Sequence, residues 1–295
     1  MISSASAYLR WFFYCCYAVL LTAVLLYVRF PEDIFKKYCV KQAQKLFSGT
    51  ECRIGHLAYY FPLSISLEGV SFSLPKQEKA PLVKLNSITI SPALTAFGKV
   101  FELKGESYSG QFSGTLHLER KDNQFSLEQI KIQNMNLAEM KPIHDVLERE
   151  ISGLFDFTGS FSAVINQYMA GKAQGKVKLM AGKISLVQPI LAMNAIDLQQ
   201  MEMEIKYDKQ ELQVSKGKMK GKELSADFSS TVRVISPWYI SDITVTGDVA
   251  PQAGFIQNSP TLQNEVRTLL KQYKKSTIPF RVNGSLQKPT FRFGL

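Results

Sequence analysis

The sequence predicts a mainly β protein: an N-terminal transmembrane helix followed by a large curved antiparallel β-sheet or groove with a few amphipathic helices. Three observations carry that expectation. Residues 11–28 contain no charged side chain, which suits an apolar solvent. After Gly49 apolar and polar residues alternate through most of the chain, the period of a half-buried strand. Glycines recur in mid-strand, where they mark bulges, bends or close backbone approach and would curl a long sheet.

A chain of 295 residues, 45% hydrophobic and 11% aromatic, is ample for a folded core and argues against disorder. The 35 Lys and Arg outnumber the 25 Asp and Glu, for a net charge of +10. That surplus favours anionic partners such as phospholipid headgroups, nucleic acid or acidic proteins without choosing among them.

Taken in order, the first element is "WFFYCCYAVLLTAVLLYV", Trp11 to Val28, bracketed by Arg10 and Arg29. At ~1.5 Å per residue it reaches about 27 Å, close to the bilayer hydrocarbon thickness. Trp11, Tyr14 and Tyr27 stand near its ends, where aromatic rings favour the interface. It runs straight into "RFPEDIF" with no small-residue cleavage site, so an uncleaved anchor is expected rather than a removed leader. The expected organisation is a bilayer span over 11–28, a juxtamembrane helix over 29–48 and a β-domain over 49–295, with 1–10 cytoplasmic if that domain lies in the periplasm. Flanking cations conflict on orientation, because Arg10 stands against Arg29, Lys36, Lys37, Lys41 and Lys45; that count alone places the large domain in the cytoplasm.

In "PEDIFKKYCVKQAQKLF" Pro31 suits a first helical turn, with Glu32 and Asp33 at the positive end of the dipole. Ile34, Phe35, Tyr38, Ala43, Leu46 and Phe47 recur at helical spacing, and Lys37, Lys41 and Lys45 form a basic stripe. Two readings stand: a helix resting on the membrane with the lysines at headgroups, or one packed on the sheet with the lysines in water.

Strands are expected in "LSISLEGVSFSLP", "LVKLNSITIS", "QFSGTLHLE", "LFDFTGSFSAVI", "GKVKLMAGKISLV", "MEMEIKYD", "ELQVSKGKMKGKELSADFSSTVRVI" and "YISDITVTGDV". Helices are expected in "NLAEMKPIHDVLEREISG" and in "SPTLQNEVRTLLKQYKKS". In the second, Ser259 is a candidate cap, Pro260 fits the first turn, and Leu262, Val266, Leu269 and Tyr273 share a face. The chain ends on "IPFRVNGSLQKPTFRFGL", whose alternation predicts one strand, a bend at Pro289 and a last short strand.

Chemical motifs are sparse. No Walker A loop, dinucleotide fingerprint, G-x-S-x-G elbow or H-E-x-x-H helix occurs in the sequence. Cys39, Cys52 and His56 match no common zinc spacing, so no metal or cofactor site is assigned. Cys39 and Cys52 are open to two readings, a disulfide or two free thiols. His144, Asp145 and Glu148 read as an exposed helix face, and His117 as an outward strand residue. No catalytic residues are assigned. In "SKGKMKGKE" Lys216, Lys218, Lys220 and Lys222 alternate with Gly217, Met219 and Gly221, so an extended chain would set four ammonium groups on one face about 6.6 Å apart. A solvated face explains them; contacts to an anionic partner or lipid headgroup are the sharper alternative. Nucleic acid is disfavoured, since no helix-turn-helix, zinc frame or aromatic RNA-binding stretch accompanies the charge.

"LYVRFPEDIFKKYC", "LSISLEGVSFSL", "LVKLNSITISPAL" and the closing "IPFRVNGSLQKPTFRF" together resemble the GspN-type proteins of type II secretion and, more broadly, AsmA-like inner-membrane proteins. The latter often end in a P-x-x-x-x-G-x-x-x-x-P strand pair, matched here by Pro279, Gly284 and Pro289. The resemblance implies a non-enzymatic protein held in the bacterial inner membrane by one span, with its β-domain in the periplasm, which resolves the orientation conflict. It implies a docking component of the secretion apparatus that contacts other secretion proteins. The alternative it carries is an AsmA-like lipid carrier or envelope-maintenance protein with phospholipid as partner. An apolar trough left open to solvent would favour lipid; a filled core with a polar exterior would favour docking.

Overall fold

The computed structural model describes residues 3–28, 31–46, 51–60, 63–73, 83–93, 96, 98–119, 123–165, 167–190, 193–252, 260–273 and 276–294; of these, side chains are described except at 3–9, 23, 26–28, 45–46 and 260–266. Alternation over so many segments produces one antiparallel sheet of fifteen strands. β1 (Glu51–Arg53) and β2 (His56–Tyr60) both pair with β3 (Ser64–Ser73) at one edge. The meander then runs through β4 (Val83–Pro92), β5 (Val100–Ser107), β6 (Gly110–Glu119), β7 (Gln124–Asn136), β8 (Ile151–Val164), β9 (Lys172–Ile190) and β10 (Met193–Asp208). It continues through β11 (Glu211–Gly221), β12 (Leu224–Arg233), β13 (Asp242–Pro251) and β14 (Ile278–Ser285) to the far edge, β15 (Pro289–Phe293). The helices described are α1 (Ser3–Val28), α2 (Glu32–Leu46), α3 (Lys141–Leu147) and α4 (Pro260–Tyr273).

Each strand pairs with its successor because tight turns connect them. Tyr108–Ser109 and Lys209–Gln210 have positive φ at both positions, the turn geometry whose twist matches that of the flanking strands. Three local expectations need correction. The run 211–235 is a hairpin, β11 and β12, rather than one strand. The helix expected over 136–153 is α-helical only over Lys141–Leu147, because Glu148 turns left-handed at φ 54 and β8 takes over at Ile151. The strands β1, β2, β5 and β7 add to those the alternation predicted; in β7, Gln129 and Asn134 at φ 50 and 55 break the period. Ser259, Lys274 and Lys275 lie outside the described residues.

The sheet rolls. Six strand spacings of about 4.8 Å would part β9 from β15 by roughly 29 Å in a flat sheet, yet these two strands touch. The seam is completed by Arg149, whose guanidinium donates to the Leu286 carbonyl, and by Gln287 Nε2, which donates to Glu148 Oε1 at 3.0 Å. Non-glycine bulges supply much of the bending: the pairing slips by one residue around Gln129, Asn134, Ala181 and Lys216, all with positive φ. An extra residue on one strand bends it and strengthens the local twist.

Two buried clusters anchor the ends. Leu224, Ala226, Val249, Ile278 and Phe280 form one, with Leu269, Leu270 and Tyr273 of α4 packed against it. Ile278 is 1% exposed, and burying such a side chain is worth about 1.5–3 kcal/mol. Phe280 and Phe291 stack at 5.6 Å, and Phe291 meets Phe293 edge-on at 4.9 Å. The closing hairpin therefore seals this end, with the amphipathic helix over it. The second cluster, Cys52, Ile54, Leu57, Leu67 and Val70, receives Cys39, Val40 and Ala43 of α2.

Candidate functional site

Register makes the two faces of the sheet chemically distinct. One row of paired residues reads Ile88, Gly105, Phe112, Ile132, Phe157 and Val177 across β4 to β9. A second reads Phe101, Leu116, Leu127, Phe161, Ala173 and Tyr207 across β5 to β10. These side chains are neither buried nor fully exposed. Among the described residues the buried clusters sit at the two ends, and the middle of the apolar face, half-buried apart from the buried Ala163 and Leu179, forms a trough within the roll. Five strand spacings of about 4.8 Å give it a breadth near 24 Å, more than the ~15 Å of hydrocarbon in one leaflet. Because the rolled end buries residues of this same face, the roll carries the apolar rows inward.

The trough is kept shallow by glycine. On β5, Gly105 stands opposite Phe112 of β6, whose ring occupies the space a Cβ at Gly105 would need. The ring of Phe157 likewise lies against Gly159 and Gly175, and that of Phe228 against Gly217. An aromatic ring over a cross-strand glycine packs flat on the sheet instead of standing out from it. The mid-strand glycines thus make room for rings, while non-glycine residues carry the bulges.

The opposite face is a charge ladder. Asp156, Lys178, Glu202, Lys218, Asp227 and Asp248 are successive partners across β8 to β13. The four clustered lysines belong to it, though not as four successive teeth of one extended strand. Lys216 is a bulge residue at φ 51, Lys218 and Lys220 alternate outward, and Lys222 lies beyond the end of β11. Lys216 Nζ is 2.9 Å from Glu204, and Lys222 Nζ 3.7 Å from Asp197. Hydrogen bonds from Lys178 and Lys216 hold the Glu202 and Glu204 carboxyls, respectively, below their ordinary values. The acids of "MEMEIKYD" are the partners that strand-by-strand reading missed; alternating Glu in one segment and Lys in the next is the signal that would have found them. Depressions of about 350 and 480 Å³ occur on this face beside Lys104, Lys131, Lys176 and Lys218; they are gaps between long charged side chains.

At the other end α2 is fastened to the β1–β2 edge. Glu32 Oε1 accepts from the Leu57 amide at 2.9 Å and lies 2.8 Å from His56 Nδ1, and Lys36 Nζ donates to the Gly55 carbonyl at 2.7 Å. The Leu57 amide is the largest influence holding the Glu32 carboxyl below its usual range, with His56 adding to it. The helix turns Cys39, Val40 and Ala43 inward, whereas Ile34 and Tyr38, read with Ala43 as one apolar face for membrane or sheet, are 70% and 60% exposed. Lys37 and Lys41 are exposed beside them, and the Lys45 side chain lies outside the described residues.

The remaining candidates separate. Cys39 and Cys52 are free thiols within one cluster, and burial pushes both upward from the usual thiol range. Among the described residues no three His, Cys, Asp or Glu side chains gather closely enough for a metal ion. His117 Nε2 lies 3.6 Å from Glu128. His144 is not on an exposed face: its Nε2 is buried without a partner, and Glu148 turns to Gln287. Burial also lowers the Arg149 guanidinium from its ordinary value.

Among the described residues no helix is long and apolar enough to cross a membrane; in α1 the side chains are described without a break only over 10–22. A scan against protein-family models, a search of curated proteins and a search of solved structures each give no match.

Proposed function

We propose that this chain is a membrane-anchored lipid-binding protein whose rolled sheet offers its apolar face to acyl chains. The observation that carries the reading is the trough itself: half-buried Phe, Ile, Leu and Val side chains spanning β4 to β10 between two filled ends, with Ala163 and Leu179 buried among them. An apolar surface of this breadth in water calls for a partner, and flat rings over glycine leave room for one. Binding rather than chemistry is the task, and the lipid carrier is the better supported alternative of the two that the family resemblance raises.

The anchor is α1. Its 26 residues would extend about 39 Å, and Trp11, Phe12, Phe13 and Tyr14, which point around the whole circumference, are all at least 63% exposed. A helix apolar on every side belongs in a core or a bilayer. The Thr22 hydroxyl donates to the Ala18 carbonyl at 2.7 Å, which satisfies it without water. The bacterial inner membrane, with the sheet on the periplasmic side, is the location proposed.

Adjacent residues of β7 supply the test. A photoreactive benzoyl-phenylalanine at Ile132 faces the trough, and one at Lys131 faces the charge ladder. Irradiation in cells is expected to attach lipid at position 132 and not at 131. Cross-links from 132 to secretion proteins without lipid would instead favour the docking reading.

A further inference from the structure

The outer stripe of α2 is unlike any other helical surface described in the molecule. Its inner side is fixed by packing and by the Glu32 and Lys36 hydrogen bonds, so the helix cannot roll to hide what it exposes. Ile34, Lys37, Tyr38 and Lys41 lie on one face at spacings of three and four residues, with Lys45 next in sequence. Ile34 is 70% exposed and Tyr38 60%. In water two large apolar groups at the centre of a lysine stripe gain nothing. At a bilayer surface the same arrangement places apolar side chains below the headgroups and ammonium groups among phosphates.

We propose that this face of α2 lies in the headgroup layer of an anionic bilayer and sets the β1–β4 end of the sheet at the membrane. The inference rests on α1 being the anchor. Three residues, 29–31, separate α1 from α2, so the start of α2 stays close to a membrane that α1 spans, and the stripe decides whether the rest of the helix lies against it. The trough then opens at headgroup level, and an acyl chain leaving the bilayer meets apolar strands instead of water.

Fluorescence of the full chain in lipid nanodiscs tests this. Trp11→Phe and Trp238→Phe remove the native indoles, and Tyr38→Trp places a single one on the stripe. In discs of phosphatidylcholine with phosphatidylglycerol brominated near the headgroup, that indole is expected to be quenched, and less so without phosphatidylglycerol. Lys37→Glu with Lys41→Glu should reverse the quenching, since each lysine near an anionic surface is worth about fivefold in partition. An unquenched indole in a chain that has entered the discs overturns the α2 proposal alone, as does quenching indifferent to anionic lipid. A chain that does not enter the discs overturns the anchor and this proposal with it.

Discussion

The ring of Phe228 lies across Gly217 on the neighbouring strand, so close that a Cβ at Gly217 would stand 2.7 Å from Cδ2 and Cε2 and 2.6 Å from the Phe228 carbonyl oxygen. Backbone and ring must both shift to admit a methyl group. Gly217→Ala is therefore expected to destabilise the sheet by about 1–3 kcal/mol, the usual cost of overpacking. Urea unfolding of the reconstituted full chain measures it, and a variant as stable as the parent would show that the ring is free to move away.

The closing hairpin predicts an asymmetric pair of substitutions. Ile278→Asp puts a carboxylate where 1% of the side chain was exposed, without a partner, which costs several kcal/mol. Arg281, exposed on the opposite face of the same strand, should accept Asp with a shift within about 0.5 kcal/mol. Protease resistance and accumulation in membranes separate the two. Equal tolerance would mean that β14 is not seated on the cluster beneath α4.

Replacing Lys216, Lys218, Lys220 and Lys222 together by Gln removes the positive members of the ladder on β11 and its turn. Their exposure, 73% for Lys216 and 68% for Lys222, limits each pair to roughly 0–1 kcal/mol. The fold should persist, with a lower unfolding midpoint at low salt and almost no difference at high salt. A loss of stability that salt does not diminish would assign these lysines a role other than exposed pairing.

Acid should loosen α2 first at its beginning. The folded Glu32 carboxyl titrates below its unfolded value of about 4.3, so its contribution is complete above that value and disappears as pH falls through the folded one. The protection of the Leu57 amide against hydrogen exchange, relative to an unfolded amide at the same pH, is expected to fall as pH drops through the folded Glu32 value. Glu32→Gln should make that protection much less sensitive to pH, and an unchanged profile would contradict the assignment.

Burial raises Cys39 and Cys52 alike, so little thiolate is present at neutral pH. Iodoacetamide should modify both far more slowly in the folded chain than in urea. Rapid alkylation of Cys52 under native conditions would show that α2 does not stay on its cluster.

Much of the sheet was legible in the chain. Alternation is a property of two neighbouring peptide units, so it foretold strands at β3, β4, β6, β8 to β10 and β13 to β15, one extended run where β11 and β12 stand, and the division into a polar and an apolar face. It faltered where the backbone leaves that period. Gln129, Asn134 and Lys216 each take a positive φ, and no local signal marks a Gln or Lys for that conformation. The even spacing read into the lysines failed at Lys216 for this reason. In α2 the helical period was plain, but it offers two overlapping faces; contacts with Cys52 and Leu57, far along the chain, chose Cys39, Val40 and Ala43 and left Ile34 and Tyr38 outside.

By itself, then, the sequence determined most of the strands, the uncharged N-terminal segment and, where the period holds, which side chains share a face, because these depend on residues a few positions apart. Only the tertiary structure decided that β15 returns to β9, that Arg149 reaches Leu286 across 137 positions of chain, and that the lysines of β11 answer the acids of β10. It also decided that the apolar face is filled at both ends and mostly half-buried between them. Those outcomes depend on how much each of fifteen strands twists and bends, and small rotations accumulate across a sheet in a way that no short window of residues records.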